Sequence, residues 1–294
     1  MDPELLESKA RPGAGARAYS ASGGSRNAGP AATLATLDVS GVEIPLCAVA
    51  GRGAPVVVFG GLGWRASGAV RSGTIGEGVP LVALDYPRRW PRRPLDSMED
   101  LARLYGAALE ALGVREARLL GFSVGGMVAL ALALERPELI SSVALVSTAA
   151  AGERVAGRWR LPLARAVAGA LPPETFHRFY RAWGPRLIGT ELCGSPSEAA
   201  RVWSDPMGRR KMGDLLRAVA HFDARDRLDQ LGRPTLIVHG ERDLVFEPAA
   251  ALELARGIPT SRAILIEGAD HFAFLTHRKR VVRDLDQFWR SNDL

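Results

Sequence analysis

The chain has 294 residues, 47% hydrophobic and 24% charged, ordinary for a globular protein and enough for one large α/β domain or two small ones. No apolar run approaches the roughly 18 residues that span a bilayer, and the longest, Met127 to Leu134, reads as a buried helix, so no membrane role is expected. The net charge of +6 could suggest a polyanionic partner, but only Lys9, Lys211 and Lys279 of the 38 basic residues are lysine, a skew that matches GC-rich coding equally well. The one dense basic cluster, Arg88-Arg89-Trp90-Pro91-Arg92-Arg93, is too short and too rich in proline for a nucleic-acid-binding helix or strand.

The start, Met1-Asp2-Pro3-Glu4, lacks the basic-then-apolar order of a signal peptide, and a cytoplasmic location is expected. Residues from about Ser8 to Ala32 are dominated by Gly, Ala, Ser, Arg and Pro. Such a segment cannot bury enough surface to offset its ordering entropy, so residues 1–32 are expected to form a mobile tail without a catalytic role. A hairpin follows, Thr33 to Val39 and Val42 to Val49 about a Ser40-Gly41 turn. Pro55 to Phe59 and Leu81 to Leu84 are continuous apolar runs, the pattern of strands covered on both faces and hence of a mostly parallel sheet. Next come a helix over about Ser97 to Leu112, a strand pattern at Ala117 to Leu120, a run of strong helix formers from Gly126 to Glu135, and a strand from Ile140 to Ser147.

Between about Ala149 and Leu231 strand-like runs disappear, while prolines, Trp159, Phe176, Phe179, Tyr180, Trp183 and Trp203 accumulate. Residues 149–231 therefore read as an inserted helical cap, with the α/β core in two pieces, 33–148 and 232–294. Strand–helix alternation resumes with strands Thr235 to His239 and Arg262 to Glu267 and helices over about Pro248 to Arg256 and Arg278 to Arg290. This alternation predicts a parallel α/β sheet with helices on both faces. Cys47 and Cys193 match no metal-ligand spacing and read as small core residues, and neither a metal nor a cofactor is expected.

Reactive groups of such a sheet gather beyond the carboxyl ends of its strands. Gly121-Phe122-Ser123-Val124-Gly125 sits there, between strand and helix patterns. In a chain with 32 glycines chance supplies about 0.2 such pentapeptides, so the flanking elements carry the signal. A serine hydroxyl needs a base within hydrogen-bond reach, and the base needs a carboxylate to hold its tautomer. His271 follows the strand Arg262 to Glu267 by a short turn and is the candidate base; Asp243 follows Thr235 to His239 and is the candidate acid. His239 lies inside a strand pattern, His177 and His221 lie in the cap, and His277 comes later. Asp270 and Asp85 read as turn- and loop-shaping carboxylates. The N–H groups of Val124 and of Gly61 are the candidate donors to a developing oxyanion. Phe59, Leu62, Phe122, Trp183 and Phe272 are candidates for lining the substrate pocket.

These segments, GFSVGG, HGERDLVFEPAAALELARGIP and EGADHFAFLTHRKRVVRDLDQFW, resemble the α/β-hydrolase superfamily over roughly Thr33 to Leu294. The resemblance implies a mostly parallel eight-stranded sheet with a helical cap after strand six. It carries over Ser123 as nucleophile, Asp243 as acid, His271 as base, and Gly61 and Val124 as oxyanion-hole donors. Phe59-Gly60 stands where the family often has His-Gly, and Asp85-Tyr86-Pro87-Arg88-Arg89-Trp90-Pro91 replaces its Asp-x-Arg-Gly-x-Gly-x-Ser loop. The expected activity is cleavage of an ester or thioester of a small acyl substrate through an acyl-enzyme. The basic loop suggests an anionic carrier, coenzyme A or an acyl-carrier protein. The alternative is a non-hydrolytic member of the fold: a lyase, cyclase, acyltransferase or small-molecule receptor.

Overall fold

The computed structural model describes residues 16–19, 32–62, 64–71, 75, 79–87, 95–155, 172, 175 and 209–292. The Arg88–Arg93 cluster, Cys193 and the cap aromatics Trp159, Phe176, Phe179, Tyr180, Trp183 and Trp203 lie outside the described residues. Eight strands follow the sequence pattern closely: β2 (Ala32–Val39), β3 (Val42–Val49), β4 (Val56–Phe59), β5 (Leu81–Leu84), β6 (Ala117–Phe122), β7 (Ile140–Val146), β8 (Thr235–Gly240) and β9 (Ser261–Ile266). A further strand, β1 (Ala16–Tyr19), pairs antiparallel with β2. β1 lies within the segment read as a mobile tail and adds a ninth strand to the eight expected. Composition does not reveal such a strand, because an edge strand is held by main-chain hydrogen bonds that any sequence offers.

The sheet order is β1-β2-β3-β5-β4-β6-β7-β8-β9. Pairing is antiparallel through the β2–β3 hairpin and across β3–β5, and parallel from β5 to β9. Parallel strands need crossovers, and the crossovers place a helical layer on each face. One face packs under the helices Met98–Ala111, Val124–Glu135, Arg209–His221 and Pro248–Gly257; the other packs under Ala66–Arg71 and Arg278–Ser291. Every residue of β4, β5, β6 and β8 is consequently buried, which accounts for the unbroken apolar runs of β4 and β5. The edge strand β9 is covered less and tolerates Arg262.

Local signals set the helix boundaries. Ser97 caps Met98–Ala111 by accepting from the Asp100 N–H at 3.0 Å, with Glu99 and Asp100 in the first turn. Val124–Glu135 carries no polar face because it is buried almost throughout, between the sheet and Met98–Ala111. Within the expected cap, Ala149–Ala151 and the helix Arg209–His221 pack into the core through Met212, Leu215, Ala218 and Val219. Among the described residues no helix is long and apolar enough to cross a membrane. The parallel strands β6, β8 and β9 end at one edge of the sheet, and the segments after them carry Ser123, Asp243 and His271.

Candidate active site

Ser123 stands between the end of β6 and the helix Val124–Glu135 with φ 56° and ψ −122°. For a residue with a Cβ this backbone conformation costs on the order of 1–3 kcal/mol, and the surroundings hold it in place. The Ser123 N–H donates to the Val146 carbonyl at 2.9 Å. Its carbonyl accepts from the Gly126 N–H at 2.8 Å and from the Thr148 hydroxyl at 2.7 Å. The flanking glycines are required by close approach. A Cβ on Gly125 would stand 2.3 Å from the Phe59 carbonyl oxygen, and one on Gly121 would stand 2.4 Å from that of Gly125. The helix start is thus pressed against the ends of β4 and β6, and the serine is turned out at the sheet edge.

Asp243 lies in the loop after β8. Its Oδ1 accepts from the N–H groups of Val245 (2.8 Å) and Phe246 (2.9 Å), which fixes the carboxylate plane. Its Oδ2 lies 2.9 Å from His271 Nδ1 and 3.2 Å from His239 Nε2. His271 follows β9 through Gly268-Ala269-Asp270, and Asp270 shapes that turn by accepting from the Phe272 N–H at 2.9 Å. His271 Nε2 lies 3.1 Å from Ser123 Oγ. Serine, histidine and aspartate thus form a continuous hydrogen-bonded line, with Nδ1 protonated toward the carboxylate and Nε2 left to accept the serine proton. All three side chains are buried.

The surroundings also keep Asp243 ionised. Burial pushes the Asp243 carboxyl up, but the charge of His271 and hydrogen bonds from His239 and His271 outweigh it and hold the group well below the usual carboxylate range. The imidazole of His271 is enclosed by Phe122, Phe246 and Phe272, with ring centroids 5.2, 5.9 and 5.2 Å away. These rings exclude water and strengthen the Asp–His contact.

Gly61 borders the serine: a Cβ there would lie 3.3 Å from the Ser123 Cβ. Val124 is the first residue of its helix, and its N–H belongs to the turn that has no intrahelical acceptor. Asp85 accepts from the N–H and hydroxyl of Ser67 and shapes its loop away from the triad.

The pocket residues divide. Phe122 and Phe272 pack against each other and His271, and Leu62 is half-buried. Trp183 lies outside the described residues. The ring of Phe59 is buried and packs on Tyr105 at 5.1 Å within the core. As the last residue of a fully buried strand it presents its carbonyl to the elbow at Gly125. Two polar residues escaped the sequence reading, Thr148 beneath the serine and His239 behind the aspartate. His239 had a visible signal, since it lies four residues before Asp243 at a strand end. Among the described residues no cluster of His, Cys, Asp and Glu could hold a metal ion.

Comparison with known proteins gives a consistent picture. The chain is 30% identical over 246 residues to the polyketide synthase ThaQ of Burkholderia thailandensis, a match covering 77% of this chain and 11% of that protein. The chain therefore spans about a tenth of the length of that relative. It is 25% identical over 238 residues to a pimeloyl-[acyl-carrier protein] methyl ester esterase of Nitrosomonas europaea, covering 76% of this chain and 92% of that one. A hydrolase from Pseudomonas aeruginosa shares the fold with a TM-score of 0.72 at 20% identity, over 87% of this chain and 98% of the other. The family model described as the alpha/beta hydrolase fold matches residues 83–278, a span that contains the serine elbow, the aspartate and the histidine, and the chain belongs to that family.

Proposed function

We propose that the protein is a serine hydrolase that cleaves a carboxylic ester or thioester through an acyl-enzyme on Ser123. The observation that carries this reading is the line from Ser123 Oγ to His271 Nε2 (3.1 Å) and from His271 Nδ1 to Asp243 Oδ2 (2.9 Å). In the first half-reaction Ser123 Oγ attacks the acyl carbon while its proton passes to His271 Nε2. Asp243 stabilises the imidazolium, and the N–H groups of Gly61 and Val124 receive the oxyanion. Collapse of the tetrahedral intermediate breaks the bond to the alcohol or thiol, which leaves with the proton from His271. Water then repeats the sequence on the acyl-serine, releasing the carboxylic acid and restoring the hydroxyl. Leu62, Phe122 and Phe272 provide apolar surface for the acyl chain.

The leaving group is read as a small alcohol or the thiol of a carrier, coenzyme A or an acyl-carrier protein. Support comes from a relative named for an ester borne on an acyl-carrier protein and from the basic sequence Arg88-Arg89-Trp90-Pro91-Arg92-Arg93. The deciding experiment is hydrolysis of an activated short-chain ester by the wild type and by Ser123→Ala. The variant should lose roughly 10⁴-fold or more in kcat while keeping its circular dichroism spectrum. Full turnover by Ser123→Ala would end the assignment. Charge reversal at the four arginines should raise KM for a carrier-bound thioester and leave it unchanged for the neutral ester; equal effects on both would remove the carrier from the proposal.

A further inference from the structure

His239 is the last histidine-bearing position of β8, fully buried, and it takes no part in the reaction outlined above. Its Nε2 faces two acceptors, the Phe246 carbonyl oxygen at 2.9 Å and Asp243 Oδ2 at 3.2 Å. Nδ1 has no hydrogen-bond partner among the described residues. A single proton on the ring must therefore sit on Nε2, where it is hydrogen-bonded to the Phe246 carbonyl with Asp243 Oδ2 at 3.2 Å beside it, and Nδ1 is left with a bare lone pair. A buried polar atom left without a partner costs on the order of 1–3 kcal/mol, so an apolar residue of similar volume would suit the fold better. The histidine satisfies a different requirement.

That requirement lies at Asp243. Oδ1 is held by two main-chain N–H groups from its own loop, whereas Oδ2 is the atom that orients His271. Without a second donor Oδ2 would be tethered only to the imidazole it is meant to orient. We propose that His239 is a positioning residue: its Nε2–H, anchored on the Phe246 carbonyl, restrains Asp243 Oδ2 independently of His271 and so sets the orientation of the base. The carboxylate is then gripped from three directions, by its own loop, by β8 and by the histidine after β9. This inference rests on the serine-hydrolase reading and adds a residue to its machinery.

The reach of the side chain supplies the test. Glutamine places an amide N–H the same number of bonds from Cα as His Nε2, while asparagine stops one bond short and leucine has no donor. His239→Gln, His239→Asn and His239→Leu are compared with wild type and with Ser123→Ala, each well below its melting temperature. The measurements are kcat and KM for p-nitrophenyl butyrate, the rate of labelling by a fluorophosphonate, and the downfield proton resonance of His271 Nδ1–H. The asparagine and leucine variants should lose about tenfold in kcat and labelling rate, the size expected for a hydrogen bond to a charged group, with KM unchanged and the resonance shifted or broadened. The glutamine variant should recover most of both. Wild-type rates and resonance in all three variants, or a glutamine variant as impaired as the leucine one, would overturn the proposal. Failure of the hydrolase reading looks different: Ser123→Ala retains turnover, or wild type takes no label, whatever the His239 variants do.

Discussion

The hydroxyl of Thr148 donates to the main-chain carbonyl of Ser123 at 2.7 Å, across 25 residues of chain and between the ends of two adjacent parallel strands. Ser123 holds a positive φ that its own side chain disfavours. The threonine ties that strained peptide to the end of β7. Removing the tie leaves a buried carbonyl with one fewer donor.

Thr148→Val keeps the shape and deletes the donor, and should destabilise the protein by about 1 kcal/mol. Urea midpoints of wild type, Thr148→Val and Thr148→Ser, at equal slope, measure this. The serine variant should retain the hydrogen bond and lose less than the valine variant. A valine variant as stable as wild type would show that the elbow needs no such tie.

Gly125→Ala should be more damaging. The new methyl would meet the carbonyl oxygens of Phe59 and Gly60 at 2.3 and 2.5 Å, and both belong to main chain that cannot swing aside. Overpacking against backbone should cost about 3 kcal/mol. Thermal denaturation should show a large drop in Tm, with loss of labelling at Ser123 because the hydroxyl is displaced. A small drop in Tm would mean that the helix start moves more easily than its packing suggests.

Acid should weaken the protein partly through Asp243. Its carboxyl titrates below the usual range in the folded state because its interactions with His271 and His239 outweigh the cost of burial. A depressed folded value contributes stability at pH above the unfolded carboxylate value, about 4, and that contribution is lost as pH falls toward the depressed value. Asp243→Asn removes the titrating group. The stability gap between wild type and Asp243→Asn should therefore be full at pH 5 to 7 and shrink below about pH 4. Urea unfolding at intervals from pH 7 to pH 2 gives the curve. A constant gap would assign the carboxylate no ionisation-linked role.

Much of this molecule is legible in one dimension. Unbroken apolar runs mark β4 and β5 because a parallel strand under two helical layers has no wet face. Ser97 marks a helix start because its hydroxyl replaces a missing main-chain acceptor. Ser123, Asp243 and His271 are legible because each follows a strand of a parallel sheet, and such strands deliver their carboxyl ends to one edge. Other features are not local. β1 draws on the main chain of β2 and leaves no side-chain pattern. Phe59 adjoins the glycine loop in sequence, yet its ring turns into the core because side chains alternate along a strand.

His239 marks the boundary between the two kinds of information. Its place in a strand was evident from the run Thr235 to His239, and that location argued against a role as the base. Only the folded chain shows that the loop after β8 doubles back, so that Asp243 and the Phe246 carbonyl meet the same ring nitrogen. The sequence by itself determined the order of strands and helices, the glycines of the elbow and the three residues at the sheet edge, since periodicity and turn chemistry act over a few neighbours. Tertiary structure alone decided which atoms of those residues come within hydrogen-bond distance, which rings enclose the histidine and which second histidine lies against the aspartate. Those distances depend on register and packing between segments as much as 148 residues apart, which no local pattern encodes.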